Sequence, residues 1–100
     1  MAFGYYGTMR TVPGKRDEVV EILLGGVDEL RAAGCSVYAV ALPDDDPDLI
    51  SVSEVWESAD QHAASLQLPR TKAAVAAAMP MLTGEFTGTR STVVGGLGVA

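Results

Sequence analysis

Trp56 and His62 are the only tryptophan and the only histidine in the chain, and Glu54 lies two positions ahead of the tryptophan. An imidazole exchanges a proton near neutral pH without a large shift. An indole offers a flat apolar wall with one N–H donor, and a carboxylate on a covered face needs a partner. Gathered in one place, these groups suit a flat ligand held against an aromatic surface and a proton exchanged with it, with His62 as proton acceptor and Trp56 as the stacking wall. Each also has a plainer role. His62 equally fits a histidine packed on an apolar helix face and hydrogen-bonded once. Trp56 is the largest residue available to a core short of large ones. Glu54 serves either as a pocket acid or as the partner of Arg10 or Arg90 in an ion pair. Tyr5, Tyr6 and Tyr38 carry hydroxyls able to reach a substrate oxygen, although strand tyrosines commonly pack the ring and leave the hydroxyl at an edge. Tyr38 joins Trp56 and Glu54 as a candidate substrate-binding residue.

The elements around these residues have to bring them together. Ile50, Val52, Glu54 and Trp56 alternate with Ser51, Ser53, Val55 and Glu57, which predicts a strand over 49 to 57 with Glu54 and Trp56 on one face. Ser58 followed three positions later by Gln61 is a capping-box pattern: the serine oxygen accepts from the Gln61 amide, the glutamine reaches back, and a helix starts at Ala59. His62 then lies on the first turn, on a face shared with Ala59, Ala63 and Leu66. The strand-to-helix corner places Glu54, Trp56 and His62 close to one another.

Upstream, residues 3 to 12 read as a strand weakened by Gly4 and Gly7, and Pro13-Gly14 ends it. Val19, Ile22, Leu23, Val27 and Leu30 recur at helical spacing, predicting one helix from Lys15 to Ala33 that stops at Gly34. Residues 35 to 42 form a nearly continuous apolar run, a strand covered on both faces. The acidic stretch Pro43 to Asp48 is a turn by composition, read as a solvated hairpin loop. Downstream, Leu68-Pro69 breaks the helical pattern. A short alanine-rich helix then runs from Arg70 to Met79 with Val75 and Met79 on its packing side. Residues 85 to 94 are rich in β-branched side chains and read as a fourth strand before a flexible glycine-rich tail over 95 to 100. The order strand, helix, strand, strand, broken helix, strand is the β-α-β-β-α-β pattern of an α+β, ferredoxin-like fold with four antiparallel strands. Helices cover one sheet face in that fold. Apolar character on both sides of the second and third strands calls for a cover on the other face, and a second copy of the chain is the simplest one.

With 100 residues, the chain is expected to form a single domain with its core over residues 3 to 95. A net charge of -6 with no basic cluster argues against nucleic acid or an anionic membrane as partner. One cysteine and one histidine cannot furnish the three or four ligands of an ordinary zinc site, and no glycine-rich phosphate loop follows a strand. No metal or flavin is therefore expected. The single Cys35 rules out an internal disulfide, no apolar run approaches a membrane span, and the first residues lack the pattern of a signal peptide. The expected location is cytoplasmic.

Val12-Pro-Gly-Lys-Arg-Asp-Glu leading into the first helix, Glu54-Val-Trp-Glu-Ser opening the second, and Ala78-Met-Pro-Met-Leu-Thr-Gly before the last strand together resemble the antibiotic biosynthesis monooxygenase domain family, over roughly residues 4 to 95. The resemblance implies a dimeric α/β barrel made of two subunits packed sheet to sheet, with a pocket in each between sheet and helices. It implies a monooxygenase that uses dioxygen and no cofactor on a phenolic, quinol or anthrone-like aromatic substrate. The alternative is a non-catalytic dimeric protein that binds a small molecule in the same pocket. Haem-degrading relatives resemble a pattern of asparagine, tryptophan and histidine. This chain has no asparagine, and where that histidine would stand it has Leu66, with Ser65 beside it. Haem breakdown by that route is disfavoured, and Ser65 joins the substrate-binding candidates.

Overall fold

The protein is described here by a computed structural model covering residues 1–99. Ala100, the last residue of the expected tail, lies outside the described residues. Strand β1 spans Ala2–Thr11. Two short helices follow, α1 (Arg16–Leu24) and α2 (Val27–Ala32), and then strands β2 (Cys35–Ala41) and β3 (Leu49–Trp56). Helices α3 (Ala59–Ser65) and α4 (Pro69–Ala78) come next, and a single 3₁₀ turn leads into β4 (Leu82–Val93). The four strands form one antiparallel sheet in the order β2-β3-β1-β4. This is the α+β, ferredoxin-like arrangement, in which the first and third strands occupy the centre. Among the described residues no helix is long and apolar enough to cross a membrane.

The single helix expected over 15 to 33 is two. It breaks at Gly25-Gly26, where two successive glycines would each cost about 1 kcal/mol inside a helix. The Gly25 carbonyl freed by the break accepts a hydrogen bond from Arg70 Nη2 on α4, and Arg70 Nη1 also reaches Glu29 at 3.3 Å. Gly34 ends α2 at φ 113°, a left-handed conformation that favours glycine, as its position predicted. The fourth strand starts three residues earlier than its composition suggested, at Leu82.

Alternation in β3 sends Ile50, Val52 and Trp56 inward; Ile50 and Trp56 are almost fully buried. Val19 from α1 and Ala78 from α4 pack on Ile50 and Val52, while Phe3 and Cys35 pack on Trp56. Tyr38 from β2 touches both groups and joins them. The helix-free face of the sheet is less apolar than expected, because β3 presents Ser51 and Ser53 there beside Val55. Opposite them Thr8 and Thr87 hydroxyls meet at 2.6 Å across β1 and β4.

The alanine-rich helix also differs from expectation. Val75 and Met79 are half exposed rather than packed, and both border a hollow between the helices and the sheet. The acidic loop is not simply solvated. Arg10 forms a two-pronged ion pair with Asp46 at 3.0–3.1 Å, and Arg16 donates to the Asp46 carbonyl.

Candidate functional site

The corner between β3 and α3 forms as its sequence dictates. Ser58 caps α3 in extended conformation and its Oγ accepts from the Gln61 amide at 3.1 Å. The glutamine side chain does fold back, but to the Ser58 hydroxyl at 2.9 Å and to Glu57 at 3.0 Å, with no bond to the Ser58 amide. The helix is rotated from the expected orientation. Ala59, His62 and Ser65 face inward, Ser65 is buried with its hydroxyl donated to the His62 carbonyl at 2.6 Å, and Ala63 and Leu66 are exposed.

His62 meets three aromatic rings. The centroid of Tyr5 lies 5.2 Å from that of the imidazole in a stacked arrangement, Phe3 lies at 5.3 Å, and Trp56 approaches edge-on at 5.5 Å. On its remaining side His62 Nε2 stands 3.8 Å from Glu54 Oε1, which accepts from Trp56 Nε1 at 3.0 Å. The ion pair expected between Glu54 and Arg10 or Arg90 is not formed. Arg10 is held by Asp46 and Glu85, and Arg90 lies 5.0 Å over the Phe3 ring as a cation–π contact. Alternation and strand order explain this: Arg10 faces the helix-free side of β1 whereas Glu54 faces the helices, and Arg90 on β4 is separated from Glu54 by β1.

Glu54, Trp56 and His62 border a cavity of about 680 Å³ between the sheet and the helices. Its wall includes all five residues singled out in the sequence: Glu54, Trp56 and His62 from the corner, Tyr38 from β2, and Ser65 from α3. The lining is otherwise mostly apolar, with Leu30, Met9 and Leu23 on one side. Leu66, Val75, Met79 and Phe86, each about half exposed, stand at the mouth. Tyr38 sits opposite Glu54 on the neighbouring strand. Burial, reinforced by the Glu54 charge, pushes its hydroxyl up to about 12, so Tyr38 remains a neutral hydrogen-bond donor at any physiological pH. Burial likewise pushes the Cys35 thiol up and makes it a poor nucleophile.

Phe3 is a residue that sequence reasoning missed, and Tyr5, weighed there for its hydroxyl, contributes its ring face to His62 instead. Their alternation on β1 marks them as a pair on one face, but only the pairing of β1 with β3, Phe3 to Trp56 and Tyr5 to Glu54, sets that face against His62. Arg70 was also missed. It borders the cavity where it ties α4 to the break between α1 and α2. Among the described residues no group of three or more histidine, cysteine or acidic side chains is placed to hold a metal ion.

The family model for antibiotic biosynthesis monooxygenases matches residues 3–77. Among solved structures, the chain is similar to a candidate antibiotic biosynthesis monooxygenase from Chloroflexus aurantiacus, with 38% identity, all of both chains covered and a TM-score of 0.86. A candidate of the same description from Caulobacter crescentus shares 24% identity, with 94% of this chain and 91% of that one covered and a TM-score of 0.85. A third, from Nitrosomonas europaea, shares 11% identity over 93% of this chain and 90% of that one, with a TM-score of 0.86. The last two attest to the fold alone. No curated protein gives a significant match.

Proposed function

The chain belongs to the antibiotic biosynthesis monooxygenase family, and from that premise we propose that it oxidises a phenolic, quinol or anthrone-like aromatic substrate with dioxygen, without a bound cofactor. The observation that carries the reading is the placement of the only histidine at the wall of a largely apolar cavity, 3.8 Å from a carboxylate, with the Tyr38 phenol on the same lining. At about 680 Å³ the cavity falls within the roughly 300–1,000 Å³ that small-molecule sites occupy.

The chemistry asks little else of the protein. His62 takes a proton from the substrate, and the resulting anion is electron-rich enough to reduce dioxygen directly. For an anthrone, the carbon that loses the proton bonds to one oxygen atom and a peroxide forms. The peroxide takes up a proton from the His62 imidazolium. Loss of the second C–H proton and cleavage of the O–O bond then leave a carbonyl on the substrate and release the other oxygen atom as water. Two hydrogens leave the substrate and one oxygen atom enters, so the substrate is the reductant. Tyr38 donates to the substrate oxygen on which negative charge collects, Trp56 supplies the flat wall, and the apolar lining keeps water from the anion.

Oxygen uptake with a panel of anthrones and hydroquinones in metal-free buffer tests the proposal. Turnover above the spontaneous rate is expected for at least one probe. His62→Ala should lower it roughly a hundredfold or more, the scale of a lost general base. Probes that bind without any oxygen uptake would identify a binding protein instead.

A further inference from the structure

Glu54 is the residue whose surroundings differ most from expectation. Its side chain is 18% exposed and pairs with neither Arg10, held by Asp46, nor Arg90, which lies on the Phe3 ring. In the resting site the carboxylate accepts from Trp56 Nε1 at 3.0 Å and faces His62 Nε2 at 3.8 Å, too far for a hydrogen bond. A mostly buried carboxylate with one neutral donor is poorly compensated. It becomes well compensated once the imidazole beside it turns cationic.

We propose that Glu54 is the positioning residue of this site: anchored by the indole N–H of Trp56, its carboxylate orients the His62 ring and balances the positive charge the ring gains on accepting the substrate's proton. The inference rests on the reading of His62 as proton acceptor given above. Because the ion pair exists only after proton transfer, it stabilises the product of that step more than its start, and such differential contacts raise turnover rather than affinity. Other charged or titratable groups around the ring do not take over this task. Tyr5 from β1 offers its ring face, Tyr38 and Cys35 from β2 stay neutral, and Arg90 from β4 lies on the Phe3 ring.

The test is Glu54→Gln, which keeps the size of the side chain and an acceptor for Trp56 but removes the charge. With a naphthohydroquinone as probe, kcat is expected to fall about tenfold or more while KM stays within about threefold, the pattern of a contact made in the transition state. Glu54→Gln combined with His62→Ala should be no slower than His62→Ala alone, because a residue that acts through another adds nothing once the other is gone. A raised KM with unchanged kcat would make Glu54 a substrate-binding group and overturn the proposal, as would losses that simply add. Parent turnover in Glu54→Gln beside a slow His62→Ala overturns the role of Glu54 only. Parent turnover in His62→Ala overturns the proton-acceptor reading and this one with it. The anchoring is read without any substrate, since the single tryptophan yields one indole N–H signal in a 1H–15N spectrum. Glu54→Ala should shift that signal upfield in an otherwise parent-like spectrum, and an unmoved signal overturns the anchoring.

Discussion

At the scale of single residues, the chain separates two kinds of carboxylate by where the fold places them. Glu54 faces the helices and borders the cavity, whereas Asp46 lies on the far end of the sheet and is committed to structure. Arg10 donates both Nη atoms to Asp46, the Asp48 amide adds a third bond at 3.1 Å, and Arg10 Nε reaches Glu85 at 2.8 Å. The hydrogen bonds from Arg10 hold the Asp46 carboxyl below the usual carboxylate range, and the Asp48 amide helps. A carboxyl depressed in the folded state stabilises fully above its unfolded value of about 3.9, and that stabilisation is lost as the pH falls through the folded value. Asp46→Asn is therefore expected to lower Tm at pH 7, and the gap to the parent should close as the pH drops below about 4. The pair is open to solvent, so added salt should narrow the gap at pH 7 as well. A gap independent of pH, measured by thermal melts over pH 2 to 7, would show that Asp46 acts through packing instead.

At the scale of elements, the site depends on two interruptions in helical structure. One is the Gly25-Gly26 break, which lets α2 turn over the sheet while Arg70 from α4 takes the freed carbonyl. The other is the corner at Ser58, whose Oγ satisfies one of the otherwise unpaired amides of α3. Helix α3 has only seven residues, and helices this short have little stability of their own, so its start depends on the cap and on packing. Ser58→Ala should cost about 1 kcal/mol, the usual value of such a cap. The loss should appear as a lower midpoint in urea with an unchanged slope. It should be felt at His62, which lies on the capped turn, so the aromatic-shifted imidazole signals should broaden or move. A variant as stable as the parent would mean that Leu68 to Ala78 and the ring packing hold α3 by themselves.

At the scale of the whole molecule, the subunit is a slab of 38 × 31 × 19 Å with helices on one side. Its accessible surface of 6136 Å² exceeds the roughly 5,400 Å² that a folded monomer of this mass ordinarily exposes. Much of the excess lies along β4, whose residues are almost all exposed, and on the helix-free face, where Tyr6 is 52% exposed among small serine, threonine and alanine side chains. A flat face of small residues around one large ring suits sheet-to-sheet packing against a second copy. Light scattering at micromolar concentration is expected to give twice the chain mass of 10.4 kDa, and Tyr6→Lys to shift the equilibrium toward monomer. A parent protein that scatters as a monomer would leave the face bare and refute the dimer.

Local patterns in the sequence were enough to place every strand, the cap at Ser58, the stop at Gly34 and the shared face of Glu54 and Trp56. Each of these follows from contacts between residues a few positions apart, for which a period of two or of 3.6 is a sufficient guide. The five residues first singled out for chemistry do border one cavity, but the partners that define their surroundings were not legible. Tyr38, Glu54, Tyr5 and Arg90 form one row across four strands because the sheet runs β2-β3-β1-β4. No periodicity within a strand reveals which strand will lie beside it, since pairing is decided by the joint burial of both faces and by the crossovers the helices allow. The same holds for the hollow under α4. Its apolar residues carry the pattern of a packed face, and only the tertiary arrangement, with Arg70 bracing α4 over the break between α1 and α2, turns that face into the mouth of a cavity.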